Sequence, residues 1–125
     1  MILGIGTDIV TVTRMQESLD RLGEKFAKRL LTENEYQEYQ TKKNGAAYLA
    51  KRFAAKEAAV KALGTGFAAG ITWKQVEVAN NELGAPFITL SQQAELKAQE
   101  LGVEKIHLSL SDEKEHAVAF VVLEN

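Results

Sequence analysis

The stretch Arg52-Phe53-Ala54-Ala55-Lys56-Glu57-Ala58-Ala59-Val60-Lys61-Ala62-Leu63-Gly64-Thr65-Gly66 limits the fold more than any other part of the chain. A helix this rich in alanine is built for close packing, yet after Arg52 it carries Lys56, Glu57 and Lys61 inside the alanine run. Its periodicity predicts a helix from about Ala46 to Leu63, closed by Gly64 as a C-terminal cap. On a helical wheel Leu49, Phe53, Val60 and Leu63 share one apolar stripe, and Lys56 falls inside it. Glu57 sits at the stripe's edge beside Phe53, and Lys61 lies one turn further on. An ordinary Glu-to-Lys i,i+4 pair, worth about 0.2–0.5 kcal/mol on a solvated face, would account for Glu57 and Lys61. Lys56 would then snorkel past its apolar neighbours. On spacing alone that is the simpler account. A functional reading needs a second carboxylate and an anion to hold.

The N-terminal segment offers the carboxylate. Ile2 to Val10 is short, apolar and β-branched, which predicts a strand, and Gly4-Ile5-Gly6-Thr7-Asp8 puts an acid after two glycines. Glycines inside a strand mark places where backbone can approach closely. This is not a dinucleotide fingerprint, because Ile9 stands where the third glycine would fall. Alone, Asp8 reads as a strand-end or turn acid. Together, Asp8 and Glu57 could hold one Mg²⁺, which takes one or two carboxylates and fills its other positions with water and substrate phosphate. Gly64-Thr65-Gly66 offers backbone amides and a hydroxyl to an anion. The chemistry in view is displacement at phosphorus, with the metal and Lys61 offsetting charge on phosphate oxygens.

The rest of the chain sets the frame. Met15, Leu19, Leu22, Phe26 and Leu30 recur at helical spacing, with Gly23 breaking or bending that helix. Thr32-Glu33-Asn34-Glu35 is a capping box that opens a helix through about Lys43. Val76–Val78 and Phe87–Leu90 predict strands, Ser91 caps a helix to Leu101, and Lys105–Ser111 with His116–Leu123 predict a hairpin. Helices in one part and antiparallel strands in another predict an α+β fold, an antiparallel sheet packed against helices. The 125 residues fit one domain, 1–125, without repeat or linker. A net charge of −2 gives no general reason to expect nucleic acid. No cysteine is present, so thiolate metal sites and disulfides are excluded. The N-terminus reads poorly as a signal peptide and no run reaches membrane-spanning length, so no membrane partner and a cytoplasmic location are expected.

Gly4-Ile5-Gly6-Thr7-Asp8-Ile9, followed by Arg52-Phe53-Ala54-Ala55-Lys56-Glu57-Ala58 with Lys61-Ala62 and Gly64-Thr65-Gly66, resembles the holo-[acyl-carrier-protein] synthase family. These are the short, single-repeat 4′-phosphopantetheinyl transferases, and the resemblance extends over nearly the whole chain, including Asn81 to Phe87. It implies transfer of the phosphopantetheine arm of coenzyme A to a serine of apo acyl carrier protein, with release of adenosine 3′,5′-bisphosphate, in fatty acid biosynthesis. It implies that Asp8 and Glu57 hold Mg²⁺ as the cofactor. Glu57 or a metal-bound water would take the serine proton, and Lys61 would contact the phosphates. Arg52, Lys56, Gly64, Thr65 and Gly66 become candidate coenzyme A contacts. The predicted helical segment Thr13 to Leu31, with a local balance of five cations against three acids, reads by itself as a mixed solvated face. The resemblance makes it a docking surface for acyl carrier protein, with Arg14 and Arg29 as cations and Phe26 as an apolar contact. It also implies a homotrimer with sites between subunits.

One position departs from the family. Relatives commonly carry histidine where this chain has Asp112, close to bound coenzyme A, and an acid there would repel phosphate. His116 could substitute, although it reads more simply as the start of a strand. Two other classes compete with the transferase: a module that binds coenzyme A or a carrier without chemistry, and a scaffold in which Glu57 and Lys61 are merely structural. The presence of Asp8, Glu57 and Lys61 together favours the enzyme.

Overall fold

A computed structural model describes residues 1–125. The order is β1 (Ile2–Thr11), α1 (Val12–Leu22), α2 (Glu24–Leu30), α3 (Glu33–Gln40), α4 (Gly45–Leu63), β2 (Val76–Asn80), β3 (Pro86–Leu90), α5 (Gln92–Leu101), β4 (Lys105–Asp112) and β5 (His116–Glu124). A single 3₁₀ turn, Trp73–Gln75, leads into β2. The fold is α+β, as expected. Strands β1, β5 and β4 form an antiparallel sheet in that order, and β2 and β3 form a separate antiparallel pair.

Alternation along the strands sets the two faces of the larger sheet. Gly6, Val10, Ala117, Ala119, Val121 and Leu123 are buried against the helices. Ile5, Ile9 and Phe120 point the other way and are exposed. Helix α4 lies across the inner face. Past its first turn every residue is buried except Lys51, Glu57 and Lys61. Its alanines are therefore core residues, and the contact they make is with backbone. A Cβ placed on Gly4 would overlap the carbonyl oxygen of Ala62, and one on Gly6 would overlap that of Ala58. Two glycines thus let β1 lie directly on the helix, and the next residue on that face is Asp8.

The local signals explain the helix ends. Gly23, at φ 68°, separates α1 from α2. The capping box is present: the Thr32 hydroxyl accepts from Glu35 N at 3.3 Å, and Glu35 Oε1 accepts from Thr32 N at 2.9 Å. Helix α3 stops at Gln40 rather than continuing to about Lys43. Thr41 closes it by donating its hydroxyl to the Glu38 carbonyl at 2.7 Å, and Asn44 then caps α4 by accepting from Ala47 N at 3.0 Å. Ser91 occupies the N-cap of α5 without a side-chain bond; Gln75 Oε1 accepts from Ala94 N instead.

Because the neighbour of Gly6 is backbone, it cannot rotate away. We expect Gly6→Ala to lower the unfolding free energy in urea by about 1–3 kcal/mol or more, the cost of overpacking a close-packed interior.

Candidate active site

Residues 4, 6 and 8 share one face of β1, so the strand that presses on α4 also delivers Asp8 to it. Asp8 and Glu57 are close enough for the Asp8 charge to act on the Glu57 carboxyl. Burial first, and the Asp8 charge second, raise the Glu57 pKa above the usual carboxylate range, while Lys61 and Arg14 pull it back. Lys61 does not pair with Glu57, as i,i+4 spacing alone would have it. Its ammonium reaches across to β1, donating to Asp8 Oδ1 and to the Thr7 carbonyl, each at 3.0 Å. An ammonium has three donors, so one is left, on a half-exposed side chain.

Asp8 Oδ2 is buried and has no hydrogen-bond partner. A buried carboxylate oxygen without a donor is costly unless a cation completes it. With Glu57 alongside, the donor set is two hard carboxylates, and no third His, Asp or Glu joins them. That set fits Mg²⁺, which binds through one or two carboxylates and retains water and phosphate ligands. It does not fit a closed structural zinc site.

Other expected residues fall elsewhere. Lys56 is fully buried. Its Nζ donates to Glu35 Oε1 at 2.7 Å, to the Val76 carbonyl at 2.7 Å and to the Trp73 carbonyl at 3.0 Å. All three donors are consumed, so the expectation of a direct coenzyme A contact from Lys56 does not fit its position. Burial lowers the Lys56 pKa, with Glu35 opposing that shift. The turn after α4 is also turned inward. The amides of Gly64, Thr65 and Gly66 donate to the carbonyls of Lys61, Val60 and Val60, closing the helix. The Thr65 hydroxyl donates to the Gly66 carbonyl at 2.8 Å. The expected amide cradle for an anion is therefore absent from Gly64-Thr65-Gly66.

Positive charge gathers at the opposite edge of the sheet, where a cleft of about 630 Å³ is lined by Lys42, Lys43, Lys51, Arg52, Asn80 and Asp112, among others. Arg52 forms its floor, buried and bonded to Glu38 Oε1 at 2.8 Å and Asn80 Oδ1 at 3.3 Å, with its guanidinium over the Tyr48 ring. Asp112 stands 4.0 Å from the Lys51 ammonium, so the acid faces a cation and offsets part of the cleft's charge. His116 begins β5. Lys42, Lys43 and Lys51 were not singled out from sequence, since single lysines in polar stretches carry no signal until the fold gathers them.

On the helical side, Arg14 lies at the edge of the acid pair, its guanidinium 5.1 Å from the centre of the Phe53 ring. Arg29 is exposed on α2, beyond the break at Gly23, and Phe26 is half-buried against the core. The residues expected to dock a carrier thus sit on two helices rather than one.

Comparison with known proteins places the chain in a family. Residues 4–121 match the model of the 4′-phosphopantetheinyl transferase superfamily, and the chain belongs to that superfamily. Within it, the chain is 50% identical over 124 residues to the holo-[acyl-carrier-protein] synthase of Vibrio cholerae, covering 99% of this chain and 98% of the relative. It is 52% identical, with the same coverage, to the enzyme of the same name from Vibrio parahaemolyticus. The crystal structure of the Neisseria meningitidis holo-[acyl-carrier-protein] synthase superposes with a TM-score of 0.94 at 39% identity, covering 100% of both chains. That of the Bacillus anthracis synthase, in complex with CoA (3′,5′-ADP), gives a TM-score of 0.83 at 40% identity over 98% of this chain and 96% of that one.

The raised Glu57 pKa has a stability consequence. A carboxyl whose folded pKa is raised favours folding below its ordinary value, and that contribution is lost as pH rises through the raised value. Glu57→Gln removes the charge that Asp8 repels. We expect its metal-free melting temperature near pH 7 to equal or exceed that of the wild type, the difference closing as pH falls through the carboxylate range in a thermal scan.

Proposed function

We propose that the protein transfers the 4′-phosphopantetheine group of coenzyme A to a serine hydroxyl of an apo acyl carrier protein, releasing adenosine 3′,5′-bisphosphate and supplying carriers for fatty acid synthesis. The observation that carries this reading is the buried, unpartnered Asp8 Oδ2 beside Glu57, with Lys61 of α4 holding Asp8 and the Thr7 carbonyl of β1. Asp8 and Glu57 are the residues that would hold Mg²⁺. Bound there, the ion would supply charge neutralisation for the pyrophosphate oxygens.

The chain's own residues supply the remaining steps. The serine oxygen forms a bond to the phosphorus that carries the pantetheine arm, and the bond from that phosphorus to the bridging oxygen breaks. The bridging oxygen leaves with adenosine 3′,5′-bisphosphate. Glu57, whose carboxyl is more basic than usual, is suited to take the serine proton. The free donor of Lys61 faces the charge that grows on the departing oxygen, and the ammonium is already oriented by Asp8 and the Thr7 carbonyl. The basic cleft suits the nucleotide's phosphate. Arg14, Phe26 and Arg29 suit an acidic carrier, for which charge complementarity acts mainly on association rate. The proposed compartment is the cytoplasm.

The acid pair belongs to the β1 edge of the sheet, and the basic cleft borders the β4 edge. One extended substrate would use both if the β1 edge of one copy met the β4 edge of the next. The exposed sheet face, with Ile5, Ile9 and Phe120, is apolar and supports such self-association. A homotrimer, the form the family resemblance implies, is the proposed working form. The alternative of a module that only binds coenzyme A leaves the orphaned Asp8 oxygen and the raised Glu57 without purpose.

Incubation with coenzyme A, Mg²⁺ and an apo carrier should add one phosphopantetheine to the carrier's mass, and EDTA should prevent it. Binding of coenzyme A without any mass gain, across several carriers, would favour the binding module. Glu57→Gln should lower turnover by about a hundredfold or more, the scale of a lost general base. Phe120→Asp should yield monomers in analytical ultracentrifugation and lose turnover at dilute protein; trimers that persist would remove the sheet face from the interface.

A further inference from the structure

Lys56 lies in the same helix as Glu57 and Lys61 yet touches no open surface, and the reaction proposed above leaves it without a role. Its surroundings give it one. The Lys56 ammonium donates to the Trp73 and Val76 carbonyls, at the entrance to β2. Its counter-ion Glu35 accepts from Val78 N at 2.7 Å through Oε2, while Oε1 takes both Lys56 Nζ and Thr32 N. The pair therefore grips β2 at successive residues of one face and ties it to α3 and α4. One turn before Lys56, Arg52 reaches Asn80 at the far end of β2. The β2–β3 hairpin carries Asn80, Gly84 and Pro86, which form a wall of the basic cleft.

We infer that Lys56, through its buried pair with Glu35, is a positioning residue that sets the β2–β3 wall of the basic cleft against α4, and so governs affinity for coenzyme A without touching it. This rests on the transferase reading, in which that cleft takes the nucleotide. An ordinary core pair would add stability alone. A positioning pair alters one substrate's binding and leaves the other's unchanged.

The molecule contains its own reporter. Trp73 is the chain's single tryptophan, its carbonyl is a Lys56 acceptor, and its ring stacks between Phe53 at 4.9 Å and Phe67 at 3.8 Å. Lys56→Met alone would strand a buried carboxylate. The test is therefore the double variant Lys56→Met/Glu35→Gln, which removes both charges, keeps the Gln oxygen as acceptor for Thr32 N and releases Val78 N. In the full-length protein with Mg²⁺ and apo carrier, KM for coenzyme A should rise about tenfold, the order found for residues acting on a site through packed neighbours. KM for the carrier and kcat should stay within about twofold. Trp73 emission should shift to the red, with stronger acrylamide quenching. A folded double variant with wild-type coenzyme A KM and wild-type emission would overturn the inference, as would a variant that cannot fold at all. Failure of the transferase reading looks different, because wild-type protein would then modify no carrier while the Trp73 shift still appeared.

Discussion

The approach of β1 to α4 along Gly4 and Gly6 is the contact on which the rest of the molecule depends. Backbone packs on backbone there, with the carbonyls of Ala58 and Ala62 occupying the space a side chain would need. Small residues on both sides make this possible, including Ala117 and Ala119 on the neighbouring strand β5. The closeness has two effects. It excludes water from the seam, and it fixes the height at which Asp8 meets Glu57. An acid pair is held together against its own repulsion by a rigid, apolar contact next to it. That is how a fold supports a locally unfavourable arrangement: the cost at the site is offset by packing elsewhere.

Much of this could be read in advance. The early glycines, the acid after them and the charges on the alanine helix each had a local signature, and the element boundaries followed from caps and periodicity. Lys56 shows where such reading stops. The helical wheel put it in the apolar stripe, which is where it lies. Its counter-ion is Glu35, a residue whose own signature was a helix cap, and only the fold shows one carboxylate serving both purposes. Lys61 is similar. Spacing offered Glu57 as its partner, but the Asp8 carboxylate and the Thr7 carbonyl on β1 were nearer in space. The Gly64-Thr65-Gly66 turn looked like an anion cradle because glycines leave amides free. Here the helix's last carbonyls take those amides first.

Charge is divided between two edges of one small sheet. Asp8 on β1 and the facing Glu57 on α4 stand at one, lysines and an arginine gather between the start of α4 and the β2–β3 pair at the other, and Asp112 moderates the basic side through Lys51. A chain of this size has little interior to spare for a deep pocket. Using two shallow, oppositely charged margins, completed by another copy in the proposed trimer, is a physically economical alternative. It also accounts for an apolar outer sheet face that a monomer would leave in water.

Strand β1 pairs with β5 along nearly its full length, from Ile2 opposite Glu124 to Thr11 opposite His116. Strand β1 must therefore wait for β5. During synthesis Ile2, Ile5 and Ile9 have no sheet to join until β5 has been made, so the larger sheet closes late at the place that matters most. Asp8 reaches Glu57 only when that final pairing closes. A chain made only as far as β4 thus has no assembled acid pair, and the appearance of the site marks the closing of the larger sheet.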